Sequence, residues 1–114
     1  MITNSQLADF ADSVANDLIK YGKYSPHLIG EKRVLKPQPI HYDEGCCLLD
    51  NPTTMSNQVD VLTYKFRNKF AKFLGLNIGY RRFIGLTGYS DNTPQDEVVA
   101  QLRAFANFCR TNHD

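Results

Sequence analysis

One segment of this sequence gathers side chains that could do chemistry. Within seven residues it holds a histidine, a tyrosine, two acids and two adjacent cysteines: His41, Tyr42, Asp43, Glu44, Cys46 and Cys47. Either thiol could act as a nucleophile with His41 as its base, or thiol and imidazole could ligate zinc. Cys109 and His113, four residues apart near the carboxyl end, form a second Cys–His pair with the same chemistry.

The spacing of these residues argues against both uses. Neighbouring cysteines seldom bind one ion together, and residues so close in sequence rarely form a catalytic pair. Neither a Gly-x-Ser-x-Gly elbow nor a phosphate-binding Gly-Lys-Ser/Thr loop occurs. We therefore predict a non-enzymatic protein without metal or cofactor. A small metal-dependent or cysteine enzyme centred on residues 41–47 is kept as an alternative.

The most unusual feature is a run of cations between aromatic residues. Residues 64–83 carry six basic side chains and no acid, although the whole chain has a net charge of only +1. On a helical wheel Lys65, Lys69 and Lys72 fall together beside the Phe stripe. The predicted partner-binding residues are Lys65, Lys69, Lys72, Tyr80, Arg81 and Arg82.

Three interpretations of this basic stretch remain open. The cations can meet an acidic protein surface and speed the encounter, or hold phosphates while Tyr64 or Tyr80 stacks on a base. They can also be an ordinary solvated helix face. The first two require that the cations project together, and that carboxylates elsewhere in the chain do not fold over them.

Composition sets the broad class. A chain of 114 residues with 42% hydrophobic and 22% charged residues is typical of one globular domain, here 1–114. No stretch is apolar enough to span a membrane, and the first residues lack a secretory signal pattern. Three cysteines, two of them adjacent, do not make a disulfide framework. We expect a cytoplasmic protein that binds no membrane.

Three amphipathic helices are predicted to position these residues. The first covers 3–21, with a capping box from Thr3 and Gln6 and a stop at Gly22. The second covers about 54–74, closes at Gly75, and carries the strongest apolar stripe, so we expect it at the centre of the core. The third begins after Thr93 as the cap and Pro94 as the first helical residue.

The segments between these helices are predicted to be irregular. Prolines interrupt residues 23–53, where a short hairpin can form from 34–35, 40–42 and 46–49. Four glycines interrupt residues 75–92, so a strand or single turn is expected near 80–84. Residues 84–88 (Ile-Gly-Leu-Thr-Gly) resemble the Gly-x-x-Gly loop of KH domains over five residues. The basic residue usual inside that loop is absent, and we interpret the glycines as turn residues.

The sequence therefore predicts a mainly α fold of about three helices with an irregular segment after the first, and α+β as the alternative class. The leading function is a small binding protein that acts by protein–protein contact as an inhibitor, adaptor or regulator. Proteins of this kind are often encoded by phages and other mobile elements. Nucleic-acid binding through residues 64–83 is the second hypothesis, and a homo-oligomer is compatible with either.

Overall fold

The computed structural model describes residues 2–23, 46–49, 51–56, 61–76 and 82–111, without the side chains at positions 82–84 and 87. These residues form five helices: α1 (Asn4–Tyr21), α2 (Pro52–Ser56), α3 (Val61–Phe73), α4 (Arg82–Asn92) and α5 (Gln95–Thr111). The described ranges contain no strand, and Lys23 and Cys46 form an isolated parallel bridge. The mainly α prediction is confirmed. Over these same ranges, no helix has the combination of length and apolar character that crossing a membrane requires.

Helix α1 begins and ends as its sequence predicts. Thr3 Oγ1 accepts a hydrogen bond from the Gln6 amide at 3.1 Å, and Gln6 Oε1 accepts one from the Thr3 amide at 2.8 Å. This reciprocal pair satisfies two of the amides that a helix start leaves open. At the other end Gly22 has φ +79° and its amide donates to the Leu18 carbonyl. Glycine adopts that angle without the steric cost that a Cβ would add.

Helices α1 and α5 form an antiparallel pair. The Lys23 amide at the end of α1 donates to Gln95 Oε1 at the start of α5, at 2.8 Å. Asp12 accepts from Arg103 at 2.9 Å and from Arg110 at 2.7 Å, so both arginines of α5 hold one carboxylate of α1. This pair makes the most extensive helix–helix contact between the described elements.

An aromatic cluster joins α3 to this pair. Phe66 lies 4.9 Å from Phe10 of α1 and 5.9 Å from Phe105 of α5, measured between ring centroids. Phe70 lies 5.3 Å from Phe105 in an edge-to-face arrangement. Because all of these rings are buried, each contributes a large apolar area to the core.

The predicted helix 54–74 corresponds to α2 and α3, and residues 57–60 between them lie outside the described ranges. Helix α2 begins at Pro52 because Asn51 and Thr54 exchange hydrogen bonds at its start. Helix α3 ends as predicted. Gly75, with φ +75°, donates to the Lys72 carbonyl, and Leu76 donates to the Ala71 carbonyl. These two bonds form a Schellman motif.

The prediction for residues 80–88 was wrong where the structure describes it. A helix, α4, covers 82–92, so the Gly-x-x-Gly resemblance falls inside a helix and neither glycine is a turn residue. Packing explains the difference: Leu86 and Ser90, four residues apart, are both buried against the rest of the molecule. Burial of one helix face outweighs the roughly 1 kcal/mol by which each glycine disfavours a helix.

Two further expectations concern the connecting segments. The two short strands predicted at 34–35 and 40–42 lie outside the described residues. At 46–49 the chain makes the bridge from Cys46 to Lys23 and then a turn at 48–49, with the Cys46 amide donating to the Gly22 carbonyl at 2.8 Å. Helix α5 begins at Gln95, whereas Pro94 was predicted as its first residue. The Val98 amide donates to the Pro94 carbonyl, which is the bond that the residue before the first helical position accepts.

Tyr89 closes the aromatic cluster on the side of α4. Its ring meets Phe70 edge-to-face at 6.4 Å, and its buried hydroxyl has no hydrogen-bond partner among the described residues. Burial, helped by the nearby Glu97 carboxylate, raises the pKa of Tyr89 to about 12. The phenol therefore has to stay neutral in the folded protein.

We predict that Gly88→Ala stabilises the protein by about 0.5–1 kcal/mol, because the position is helical and an added Cβ meets nothing within 4 Å. The matched variant Gly75→Ala should cost roughly 1–2 kcal/mol, since φ +75° strains any side chain although space is equally open. Urea unfolding followed by circular dichroism measures both. Destabilisation by Gly88→Ala would contradict a helix at this position.

We also predict that the free energy of unfolding falls more with rising alkaline pH in the wild type than in Tyr89→Phe. An unfolded tyrosine ionises near pH 10, whereas folded Tyr89 holds its proton to about pH 12. Between these values the folded state binds more protons, so the free energy of unfolding falls as pH rises. Going from about pH 9 to about pH 11, the wild type should lose up to about 1 kcal/mol more than the variant. Equal losses would contradict the assignment.

Candidate functional site

Three of the predicted partner-binding residues lie in one row on α3. Lys65, Lys69 and Lys72 follow one another at intervals of four and three residues, which places them on the same side of the helix. Lys69 and Lys72 are exposed, and Lys65 is half-buried. We call these three residues the lysine row.

The other predicted site residues cannot be placed in this surface. Tyr80 and Arg81 lie outside the described residues, and Arg82 is the first residue of α4 with its side chain outside the description. Arg67, which contributes to the charge of the same stretch, has a structural contact. Its Nη2 donates to the Leu49 carbonyl at 3.0 Å and so joins α3 to the segment before α2.

The carboxylates of α1 are used elsewhere and do not cover the lysine row. Asp9 and Asp12 accept from the arginines of α5. Asp17 accepts from the amide and the hydroxyl of Thr53, at 2.8 and 2.6 Å. In the part of the chain that the structure describes, no Asp or Glu lies within salt-bridge distance of the lysine row. Among the described residues, therefore, no carboxylate cancels the charge of these three cations.

A groove of about 520 Å³ lies beside the lysine row. Residues of three helices line it: Asn4 and Leu7 from α1; Lys69, Lys72 and Phe73 from α3; and Phe105, Phe108 and Cys109 from α5. Its volume falls in the range of about 300–1,000 Å³ that is usual for ligand-binding clefts. We call it the Phe groove. The described residues that line it include apolar side chains and two ammonium groups, and none of these residues carries a carboxylate.

The walls of the Phe groove are held by the core. The Phe73 ring lies 5.5 Å from Phe105, which is buried, and 5.4 Å from Phe108, which is 49% exposed. Burial and ring contacts thus fix the inner wall, while Phe108 presents half of its surface to the groove and solvent. The wall is already formed in the unbound chain, which lowers the entropy that a ligand has to overcome.

The sequence predicted the lysines of this site but not the groove. Leu7 and Phe105 fall on the apolar stripes of their helices, and the groove appears only when the ends of α1, α3 and α5 are brought together. Phe108 is a large apolar residue outside the stripe formed by Val98, Leu102, Phe105 and Cys109. A single apolar residue on the outer side of a helix is common, so the sequence alone did not point to a groove.

The alternative centre at residues 41–47 is only partly described. Positions 41–45 lie outside the described ranges. The Cys46 thiol is buried and donates to the Asp17 carbonyl at 3.7 Å, whereas Cys47 is half-buried. Cys46, Cys47 and Cys109 are all free thiols. Among the residues that could be searched, no three His, Cys, Asp or Glu side chains are grouped as a metal site would require.

A buried lysine, which no sequence pattern indicated, adjoins this segment. Lys23 is 9% exposed, and its Nζ donates to the Ser90 carbonyl near the end of α4. Burial lowers the pKa of Lys23, against the opposing influence of Asp91 and Cys47. The ammonium stabilises the negative end of α4, and this contact accounts for the residue as part of the structure.

Comparison with protein-family models, characterised proteins and solved structures finds no match to this chain.

We predict that Lys23 and Asp91 are energetically coupled. Lys23→Met should cost about 2–3 kcal/mol, because Asp91 is only 8% exposed and would lose a compensating cation. Asp91→Asn should cost a similar amount. The double variant should then be more stable than additivity predicts, by about 1 kcal/mol or more. A double-mutant cycle from urea unfolding measures this coupling, and strict additivity would show that the two groups do not interact.

Proposed function

We propose that this chain is a non-enzymatic binding protein that acts through protein–protein contact, as an inhibitor, adaptor or regulator of its partner. The observation that carries the proposal is the lysine row, which no described carboxylate neutralises and which lies beside the Phe groove. Exposed cations next to preformed apolar surface are suited to a partner that offers both acidic and apolar groups.

The composition of the groove favours a protein over a nucleic acid as the partner. Phe108 is the exposed ring in its lining, whereas Phe105 and Cys109 are buried, so these residues do not form the series of exposed rings on which successive bases would stack. Arg67, which could have made a bidentate phosphate contact, is directed to the Leu49 carbonyl. Apolar side chains of a protein would gain by burial in the same groove.

The test is affinity capture with the full chain as bait in a lysate of the cells that produce it, with and without nuclease. Lys69→Glu reverses one charge of the lysine row. Lys20→Glu reverses one exposed lysine near the far end of α1, where its Nζ contacts only the ring of Tyr21 among the described residues. The conservative variant Lys69→Arg keeps the charge.

We expect wild type, Lys20→Glu and Lys69→Arg to capture the same polypeptide, and Lys69→Glu to capture about tenfold less, because like charges repel across an interface. Nuclease should not change the result. Capture that nuclease abolishes, with affinity for duplex DNA that falls steeply as salt rises, would favour nucleic-acid binding instead. Equal capture by Lys69→Glu and Lys20→Glu would refute a contact through the lysine row.

A further inference from the structure

The Phe groove offers a ligand two kinds of contact at once. Phe73, Phe105 and Phe108 supply its apolar wall, and Lys69 and Lys72 supply cations at the same surface. The described lining residues include no acid, so the charged groups that a ligand meets among them are those of Lys69 and Lys72. A complementary ligand therefore has an apolar face bordered by anionic groups.

The spacing of the cations narrows the class of ligand. Lys65 and Lys72 are seven residue steps apart, so the lysine row is about 10 Å long at a rise of about 1.5 Å per residue. On a partner helix that packs against this surface, acidic residues that are four and three positions apart would likewise lie on one side of the helix. A fatty acid has one carboxylate and would satisfy one of the three lysines. A row of acids on a helix can satisfy all three.

The exposed part of Phe108 fits the same ligand. Its ring is held against Phe73 at 5.4 Å, yet 49% of the residue is accessible. Half-exposed aromatic rings with a fixed position are typical centres of binding energy, because a partner can bury them at little cost in entropy. An amphipathic helix places large apolar residues at intervals of three and four, beside its acids.

We infer that the Phe groove binds an acidic amphipathic helix of another protein. Its apolar side chains pack on Phe73 and Phe108, and its Asp and Glu residues face Lys65, Lys69 and Lys72. This inference rests on the proposed function and names the chemistry of the partner segment.

The experiment selects ligands from a displayed library of helical peptides of about 15 residues, a length at which a helix becomes marginally stable by itself. Apolar and charged positions are both randomised, and the full chain is the target. The selected peptide is labelled with fluorescein, and its affinity is measured by anisotropy for wild type and three variants. Phe108→Ala removes the exposed ring, and Lys69→Gln with Lys72→Gln removes two charges. Val61→Ala is the control, a truncation at a 69% exposed apolar residue of α3 that does not line the groove.

We expect selected peptides to carry Asp or Glu beside apolar residues at helical spacing. Phe108→Ala and the double lysine variant should each weaken binding about tenfold, and Val61→Ala less than twofold. Glu→Gln exchange in the peptide should weaken binding to the wild type and leave the double lysine variant unaffected. Circular dichroism of each variant confirms that it is folded.

Several results would overturn the inference: no selected peptide, peptides without acidic residues, or equal affinity for wild type and Phe108→Ala. A different outcome would assign the groove to a lipid. In that case no peptide binds, a fluorescent fatty acid binds to the wild type and is displaced by laurate, and Phe108→Ala does not bind the fatty acid. These failures are distinct from failure of the proposed function. If Lys69→Glu abolishes capture of a protein but Phe108→Ala does not, the protein contact stands and the helix-binding groove is wrong.

Discussion

Burial of the rings of Phe66, Phe70 and Phe105 is the constraint on which the rest of the structure depends. These rings belong to α3 and α5, and Phe10 brings α1 into the same cluster. Once they are buried, the rotation of α3 about its own axis is fixed. The lysine row, which lies to one side of the Phe stripe, then has to face outward, and Phe73 has to meet α5 near the end where Phe108 lies.

Some charged side chains of the molecule pair with one another and stabilise the helix packing, whereas others remain at the surface. The carboxylate of Asp12 belongs to the first group. Burial alone would raise the pKa of its carboxyl, but hydrogen bonds from Arg103 and Arg110 outweigh that effect and lower it. Asp9 and Asp12 of α1 thus accept from the arginines of α5 and hold the antiparallel pair together. A chain with a net charge of +1 can therefore still present a row of cations on α3 that no described carboxylate neutralises.

The parts of the fold that depend on local chemistry could be predicted from the sequence. The capping box of Thr3 and Gln6 and the stop at Gly75 involve residues a few positions apart, so their pattern is visible in one dimension. Helix α4 could not be predicted in the same way, because its local propensity is poor and burial of Leu86 and Ser90 compensates for two glycines. The groove was also invisible, since its lining comes from the ends of three helices that only tertiary packing brings together.

The lysine row and the Phe groove would contribute to the proposed contact at different stages. Charge acts over about 8–10 Å at physiological salt, so the lysines would affect mainly the rate of encounter. Burial of Phe108 requires direct contact and would affect mainly the rate of dissociation. Added salt should therefore slow association through the lysine row and leave the lifetime set by Phe108 largely unchanged. A surface that was only a solvated face would show neither dependence, because solvated lysines make no contact that dissociation has to break.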